Sequence, residues 1–376
     1  MIKTYKYRLY PNYKQRLVMQ KTLDICRELF NLCLEQRKMQ HIHEFEQSRQ
    51  LTQLKKIFPE YTQVCDGVLR VVLSQLEHAF QSFFRRVKRG QKSGYPRFKS
   101  ENRFSSFCFP THLDKGGSFR LSGEYLQLTK IGNVKVRLHR KIPNDARFIC
   151  CTVLKKNGNW YACFDIECAT TTYLKSDLQV GIDVGIINFI TFSDRSISIP
   201  NPRFYENSQK QRAKLQRKVA RKVKGSNRRK KAKLFVSKFE EHIANKRRDF
   251  LHKLSQTLVN KYGIIVVEDL NVAGMIRSNL AKYISDCSWS SFFGMLDYKA
   301  EWAGNRQIQR VPARYTSQKC SECGFISAEN RKTQSEFKCL SCEFCCDADL
   351  NASKNILSAW IELSSVNVTG SDVCVA

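Results

Sequence analysis

Acidic residues are in short supply in this 376-residue chain: 34 Asp and Glu stand against 64 Lys and Arg, for a formal net charge of +30. A chain this basic binds polyanions, and nucleic acid is the leading candidate. A ribosome-like or nonspecific basic protein would carry the same charge, so charge alone does not decide. Long apolar runs are missing too. No stretch approaches the ~18 residues of a membrane span, and no membrane partner is expected. The opening MIKTYKYRLYP lacks the apolar core of a signal peptide, so a cytoplasmic location is expected. Internal repeats and low-complexity linkers are absent. Cysteine is plentiful, but a disulfide pattern is not: 16 Cys are scattered and four of them fall in metal spacing. That favours reduced thiols plus a metal site. The length allows two or three domains with a substantial core.

Hydrophobic spacing divides the chain into three regions. Residues 1–10 alternate, with Tyr5, Tyr7 and Leu9 on one face, and Pro11 ends the strand. Met19, Leu23, Cys26, Phe30 and Cys33 predict an amphipathic helix over about 13–40. Leu69, Leu73, Leu76, Phe80, Phe83 and Val87 predict another over 68–89, stopped at Gly90. Residues 11–90 thus read as a helical lobe inserted after the first strand. In 91–175, KSGYPRFKSENRFSSFCF interleaves basic and aromatic residues, a pattern suited to unpaired bases and phosphates. Tyr95, Arg97, Phe98 and Lys99 are its nucleic-acid candidates, although core packing accounts equally for many such aromatics. Strand signals follow, including a hairpin turning at Asn157-Gly158. They predict a small β-barrel that the N-terminal strand completes.

The third region alternates strands with helices and predicts an α/β layer. It opens with VGIDVGIINFIT (180–191), two apolar runs around a tight turn, with Asp183 in the middle. Residues 208–248 then hold 17 Lys and Arg against two acids. So one-sided a run, broken at KGSN, favours a phosphate-tracking surface over a merely solvated helix. Arg217, Arg221, Arg228 and Arg229 are its candidates. IIVVED (264–269) is the next strand, with Glu268 at its end. Residues 361–376 lack periodicity and read as a flexible tail.

Two patterns carry chemistry. Cys320-x2-Cys323, 15 intervening residues, then Cys339-x2-Cys342 is zinc-ribbon spacing. Four thiolates leave no open position, so one structural zinc is expected. Cys345 and Cys346 fall outside the spacing. The second pattern is a strand acid, a strand-end acid and a helix acid: Asp183, Glu268 and Asp349. Phosphodiester hydrolysis by two divalent ions ~3.5–4 Å apart needs such bridging carboxylates. Hard Mg2+ or Mn2+ suits them. Asp347 reads as the N-cap of the helix bearing Asp349.

GIDVGIINFIT, VVEDLNVAGM, YTSQKCSECG and DADLNASKNI, in that order, resemble the TnpB family, and so do YKYRLYP and YPRFKS. These are transposon-associated RNA-guided nucleases related to the type V CRISPR effectors. The resemblance covers nearly the whole chain and implies an α+β multidomain protein. It implies a wedge-type β-barrel (1–10 and 91–175), a helical recognition lobe (11–90) and a RuvC-like nuclease domain (176–315 and 346–360). A zinc ribbon (316–345) is inserted in the last of these. The family's catalytic triad falls on Asp183, Glu268 and Asp349, and its ribbon on the four cysteines. Arg331, between the knuckles, corresponds to an Arg that reaches the scissile phosphate in relatives. Glu343 stands where the family commonly has Gly. The implied partners are a guide RNA from the transposon end and double-stranded target DNA next to a short flanking motif. A nucleoid-associated protein of a prokaryote is expected, its oligomeric state left open with a monomer favoured. Two other functions fit the same residues: strand transfer as a transposase, and noncatalytic regulation by a zinc-ribbon binder.

Overall fold

The computed structural model describes residues 1–40, 42–110, 117–169, 173–331 and 333–369. The chain forms two units, Met1–Ala169 and Thr170–Ala376. In the first, β1 (Ile2–Tyr10) leads into α1 (Tyr13–Met39), α2 (Glu44–Ile57) and α3 (Asp66–Lys88). Asn12 caps α1 by accepting from the Gln15 amide, and the Gln15 side chain returns the bond. The stripe expected on α1 is buried, from Met19 to Cys33. Helix α2 is not signalled by periodicity, because only Gln47 and Leu51 of its face are buried.

Six further strands complete this unit: β2 (Ser106–Phe109), β3 (Phe119–Ser122), β4 (Tyr125–Leu128), β5 (Gly132–Arg137), β6 (Arg147–Lys156) and β7 (Asn159–Glu167). Asn157 and Gly158 both take positive φ, 51° and 77°, as a type I′ hairpin turn requires. The strands line up as β2-β6-β7-β1-β5-β4-β3, with β1 in the middle. The expected barrel is not closed: β2 and β3 stay at opposite edges, unpaired with each other. Alternation identifies strands but not which edges bond. The curl is held by side chains, with the Phe119 ring of β3 6.1 Å from Phe148 of β6 and 6.2 Å from Phe164 of β7.

The second unit contains β8 (Gln179–Asp183), β9 (Asn188–Phe192), β10 (Ile199–Pro200), α4 (Phe204–Ala220), α5 (Asn227–Lys261) and β11 (Ile264–Glu268). After these come α6 (Val272–Met275), α7 (Ala281–Cys287), α8 (Trp289–Ala303), β12 (Gln307–Val311), β13 (Glu336–Lys338), β14 (Cys345–Asp347) and α9 (Ala348–Thr369). The tail expected from residue 361 is instead the continuation of α9 as far as Thr369, and residues 370–376 lie outside the described residues. The main sheet has the order β10-β9-β8-β11-β12, with β8, β11 and β12 parallel. Side chains alternate between its faces. Val180, Ile182, Ile265 and Val267 pack with Leu254 and Leu258 of α5 and Phe292 and Leu296 of α8. The other face carries Val266 and Val311 against Ile356 of α9.

Gly181 lies on this second face because α9 crosses it at backbone distance. A Cβ at Gly181 would collide with the Ser353 carbonyl oxygen and stand 2.8 Å from the Leu357 amide nitrogen. Neither atom is a flexible side-chain end. Gly181→Ala is therefore expected to lower stability by about 2 kcal/mol or more, read as a shift of the urea midpoint at unchanged slope.

Candidate active site and metal centre

Parity puts two acids on the α9 face. In the parallel register Val267 pairs with Ile182, so the next residues, Glu268 and Asp183, face each other at the carboxyl ends of adjacent strands. That end of an open α/β sheet is where ligands bind. The third acid arrives with the helix. Asp347 caps α9, its Oδ1 accepting from the amides of Asp349 and Leu350, each at 3.0 Å. The cap fixes the first turn and sets Asp349 beside the turn after β8. A Cβ on Gly185 in that turn would lie 3.9 Å from Asp349 Oδ2.

Asp183 and Asp349 line one cleft of about 260 Å³, together with Trp289, Arg331 and Gln334. Glu268, at the end of β11, does not line this cleft; the Thr316 hydroxyl donates to its Oε1 at 2.5 Å. Burial pushes the Asp183 carboxyl well above the usual range, and the charges of Glu268 and Asp349 push it further. Burial also raises Glu268, against the Thr316 bond and Arg331. Asp349 is raised by burial and by Asp347. Arg331 opposes the rise at all three acids and ion-pairs with Asp349 Oδ1 at 3.2 Å. The site is thus a set of repelling carboxylates with one guanidinium among them. Hard oxygen donors whose pKa values are all raised are a donor set for divalent cations. Trp289, 2% exposed, adds an indole N–H with no protein acceptor.

The thiolates form a tighter group. Cys320, Cys323, Cys339 and Cys342 place their sulfurs within 4.8 Å of one another, the only such group among the described residues. Sulfur pairs at 3.7 and 3.5 Å match the ~3.8 Å edge of a tetrahedron with ~2.3 Å Zn–S bonds. The donor set fits a structural zinc. Cys345 and Cys346, on β14, are not part of it. The knuckles are twins: Gly324 N–H donates to Cys320 O and Glu343 N–H to Cys339 O, at 3.0 and 3.1 Å. Both turns need a left-handed residue, with φ of 78° at Gly324 and 59° at Glu343. Glutamate adopts that conformation under strain. Glu343→Gly is expected to raise the temperature of zinc-loaded unfolding, by about 1 kcal/mol of stability in calorimetry.

The ribbon is joined to the acids by residues the sequence did not flag. Asn351 of α9 donates to Lys319 O at 2.8 Å and accepts from the Ser321 amide at 3.0 Å. Asn355 donates to Thr316 O at 2.9 Å. Asn330, fully buried, donates to Gln318 O and accepts from the Leu340 amide, tying the two knuckles just before Arg331. Polar residues inside a helix at i, i+4 (351 and 355) were the available signal.

The other nucleic-acid candidates fall in both units. Tyr95, Arg97, Phe98 and Lys99 belong to the first unit. Tyr95 packs edge-on against Phe80 and Phe83, while Lys38 Nζ lies 4.1 Å over the Phe98 ring. The Lys99 backbone bonds to the Asn31 side chain, and Arg97 is exposed. Arg217 ends α4 and Arg221 follows it, while Arg228 and Arg229 open α5.

Comparison with known proteins agrees in order and extent. Residues 152–279 match the OrfB_IS605 family model, described as a probable transposase. Residues 289–356 match a Cas12f1-like TNB domain, and 1–44 a helix-turn-helix domain of OrfB_IS605 proteins. The fold resembles a Cas12f1 chain solved with sgRNA and target DNA, at TM-score 0.59 and 13% identity over 95% of this chain and 98% of that one. A Streptomyces pristinaespiralis protein named "Putative RNA-guided DNA endonuclease" is 32% identical, over 96% of this chain and 90% of its own. One of the same designation from Escherichia coli K12, InsQ, is 30% identical over 95% and 92%. Identity at this level along nearly the full length of both chains means that the protein belongs to the TnpB family of OrfB_IS605 proteins.

Proposed function

We propose that this chain is an RNA-guided DNA endonuclease that hydrolyses target phosphodiesters with two divalent ions held by Asp183, Glu268 and Asp349. What supports this reading is the parallel register that sets Asp183 next to Glu268, together with the cleft that Asp183 shares with Asp349 and Arg331. In this reading 176–315 and 346–360 are the RuvC-like domain and 316–345 its zinc-ribbon insert. Residues 1–10 and 91–175 are the wedge, and 11–90 the recognition lobe.

Bound Mg2+ or Mn2+ supplies a water of lowered pKa and polarises the phosphate. Asp183, whose carboxyl feels the charges of both other acids, would hold both ions. Glu268, oriented by Thr316, would hold one ion and help position the attacking water. Asp349 would hold the other. Arg331, which pairs with Asp349 here, would be placed to pair with the scissile phosphate. Guide pairing reads the target, while the protein reads duplex shape and a flanking motif.

The basic helices support a polyanionic partner. Helix α5 opens with Arg228, Arg229, Lys230 and Lys231 and has no acid in its first turn. Cations at the positive end of a helix are each unfavourable by about 0.3–1 kcal/mol. A phosphate backbone laid there removes the penalty. No helix among the described residues is long and apolar enough to cross a membrane.

The test is to purify the protein with its locus, sequence the bound RNA, and add Mg2+ and a matched target library with randomised flanks. Guided double-strand cuts are expected. Strand joining without guide RNA would favour the transposase reading. Tight binding without cutting would favour a regulator.

A further inference from the structure

Beside the acid cleft lies a second one that the proposed chemistry does not use. It measures about 280 Å³ and shares Ile186, Ile187 and Gln334 with the first. The two are therefore contiguous around the turn that follows β8. The charged groups and the Asn201 amide on its wall already serve one another. Asp286 accepts from the Tyr205 amide at 2.8 Å through Oδ2 and pairs with Arg247 through Oδ1. Glu206 pairs with Arg203 at 3.6 Å. Asn201 donates to Ile186 O at 2.8 Å and accepts from the Arg203 amide at 3.0 Å. Arg203 itself is held in the left-handed region, at φ 49°, a strain this bonding sustains.

What remains for a ligand is largely apolar, with the Tyr283 hydroxyl and the Gln334 side chain as its polar groups. Ile187 and Leu280 are 54% and 49% exposed, and Tyr283 lines the cleft between helices. Lys282 Nζ lies 4.8 Å from the Tyr283 ring centroid, so a cation stands beside the aromatic. An aromatic with aliphatic neighbours and a lysine, in a cleft that adjoins the proposed cutting site, matches the stacking platforms that hold unpaired bases. We propose that this cleft holds one unpaired base of the DNA strand being cut, stacked on Tyr283 and flanked by Ile187 and Leu280, next to the phosphate at the acids. The inference rests on the nuclease reading for the identity of the strand.

The test uses the full chain with its bound RNA and a matched target carrying 2-aminopurine at one position at a time. Calcium replaces magnesium for the fluorescence measurement, and magnesium is used for cutting. Quenching is expected at one position next to the cut. Tyr283→Ala removes that quenching and raises the target concentration for half-maximal cutting about tenfold, within the range of losing one stacked base. Tyr283→Phe restores both. Cutting with no quenched position, or with quenching unchanged in Tyr283→Ala, overturns the inference and leaves the nuclease reading intact. Quenching without any cutting overturns the nuclease reading and leaves the base cleft standing. Absence of both overturns both.

Discussion

Asp183→Asn is expected to lower cutting by on the order of 10³-fold or more, while making the metal-free protein more stable. The first effect follows from removing the ligand that faces both other acids, since metal-borne stabilisation amounts to several kcal/mol. The second follows from the electrostatics. Burial and two neighbouring carboxylates hold the Asp183 pKa above its unfolded value. A carboxyl raised in this way favours folding only where it is protonated. That contribution is present below the unfolded pKa of about 3.9 and is lost as pH climbs through the folded one. At neutral pH the charged form opposes folding, and asparagine removes that charge. The gain should be on the order of 1 kcal/mol at pH 7 and should vanish toward pH 4. Paired calorimetry of wild type and Asp183→Asn in EDTA, at both pH values, measures it. A purely structural acid would give the opposite sign: loss of stability at pH 7.

Stripping zinc should disable the acids without touching them. Structural zinc contributes about 10–16 kcal/mol to the folding of its own domain. Here the domain also carries Thr316, Arg331 and the carbonyls that Asn351 and Asn355 grip. Cys320→Ser, or a strong chelator followed by magnesium, is expected to release one zinc per chain and cut activity at least ~100-fold. Re-adding zinc to the chelated wild type should restore activity, and magnesium alone should not. Released zinc is read with a colorimetric indicator, and ribbon order by amide exchange at Cys320 to Leu340. Full activity in a zinc-free chain would contradict the coupling through α9.

The parts legible in the sequence were those set by local rules. The Asn157-Gly158 turn, the capped start of α1 and the Asp347 cap are each written in neighbouring residues. Alternation over 1–10 was enough to find β1, whose Tyr7 and Leu9 are each 1% exposed. Pairing was less legible. Which strands form the two edges of the first sheet depends on Phe119 meeting Phe148 and Phe164, contacts between distant residues. Helix α2 was missed because a helix whose buried face is Gln47 and Leu51 leaves almost no apolar period. The end of α9 was missed because VNVT and its surroundings are poor helix formers, and only packing of the preceding turns on the sheet sustains it.

The site divides in the same way. Motif spacing located the thiolates, since a ribbon's ligands lie on two short turns. The acids could be named, but their convergence depends on parallel register and on Gly181 letting α9 close on the sheet. Thr316, Asn330 and Asn355 gave no signal as singletons, because each acts through a backbone carbonyl or one carboxylate oxygen.

One measurement bears on the shared ion pair most directly: low-temperature electron paramagnetic resonance of the Mn2+-loaded protein bound to an uncut target. Two manganese ions within about 4 Å of each other should give an exchange-coupled spectrum, lost in Asp183→Asn and reduced to an isolated ion in Asp349→Asn. A spectrum of isolated manganese in the wild type, unchanged by either substitution, would contradict the account.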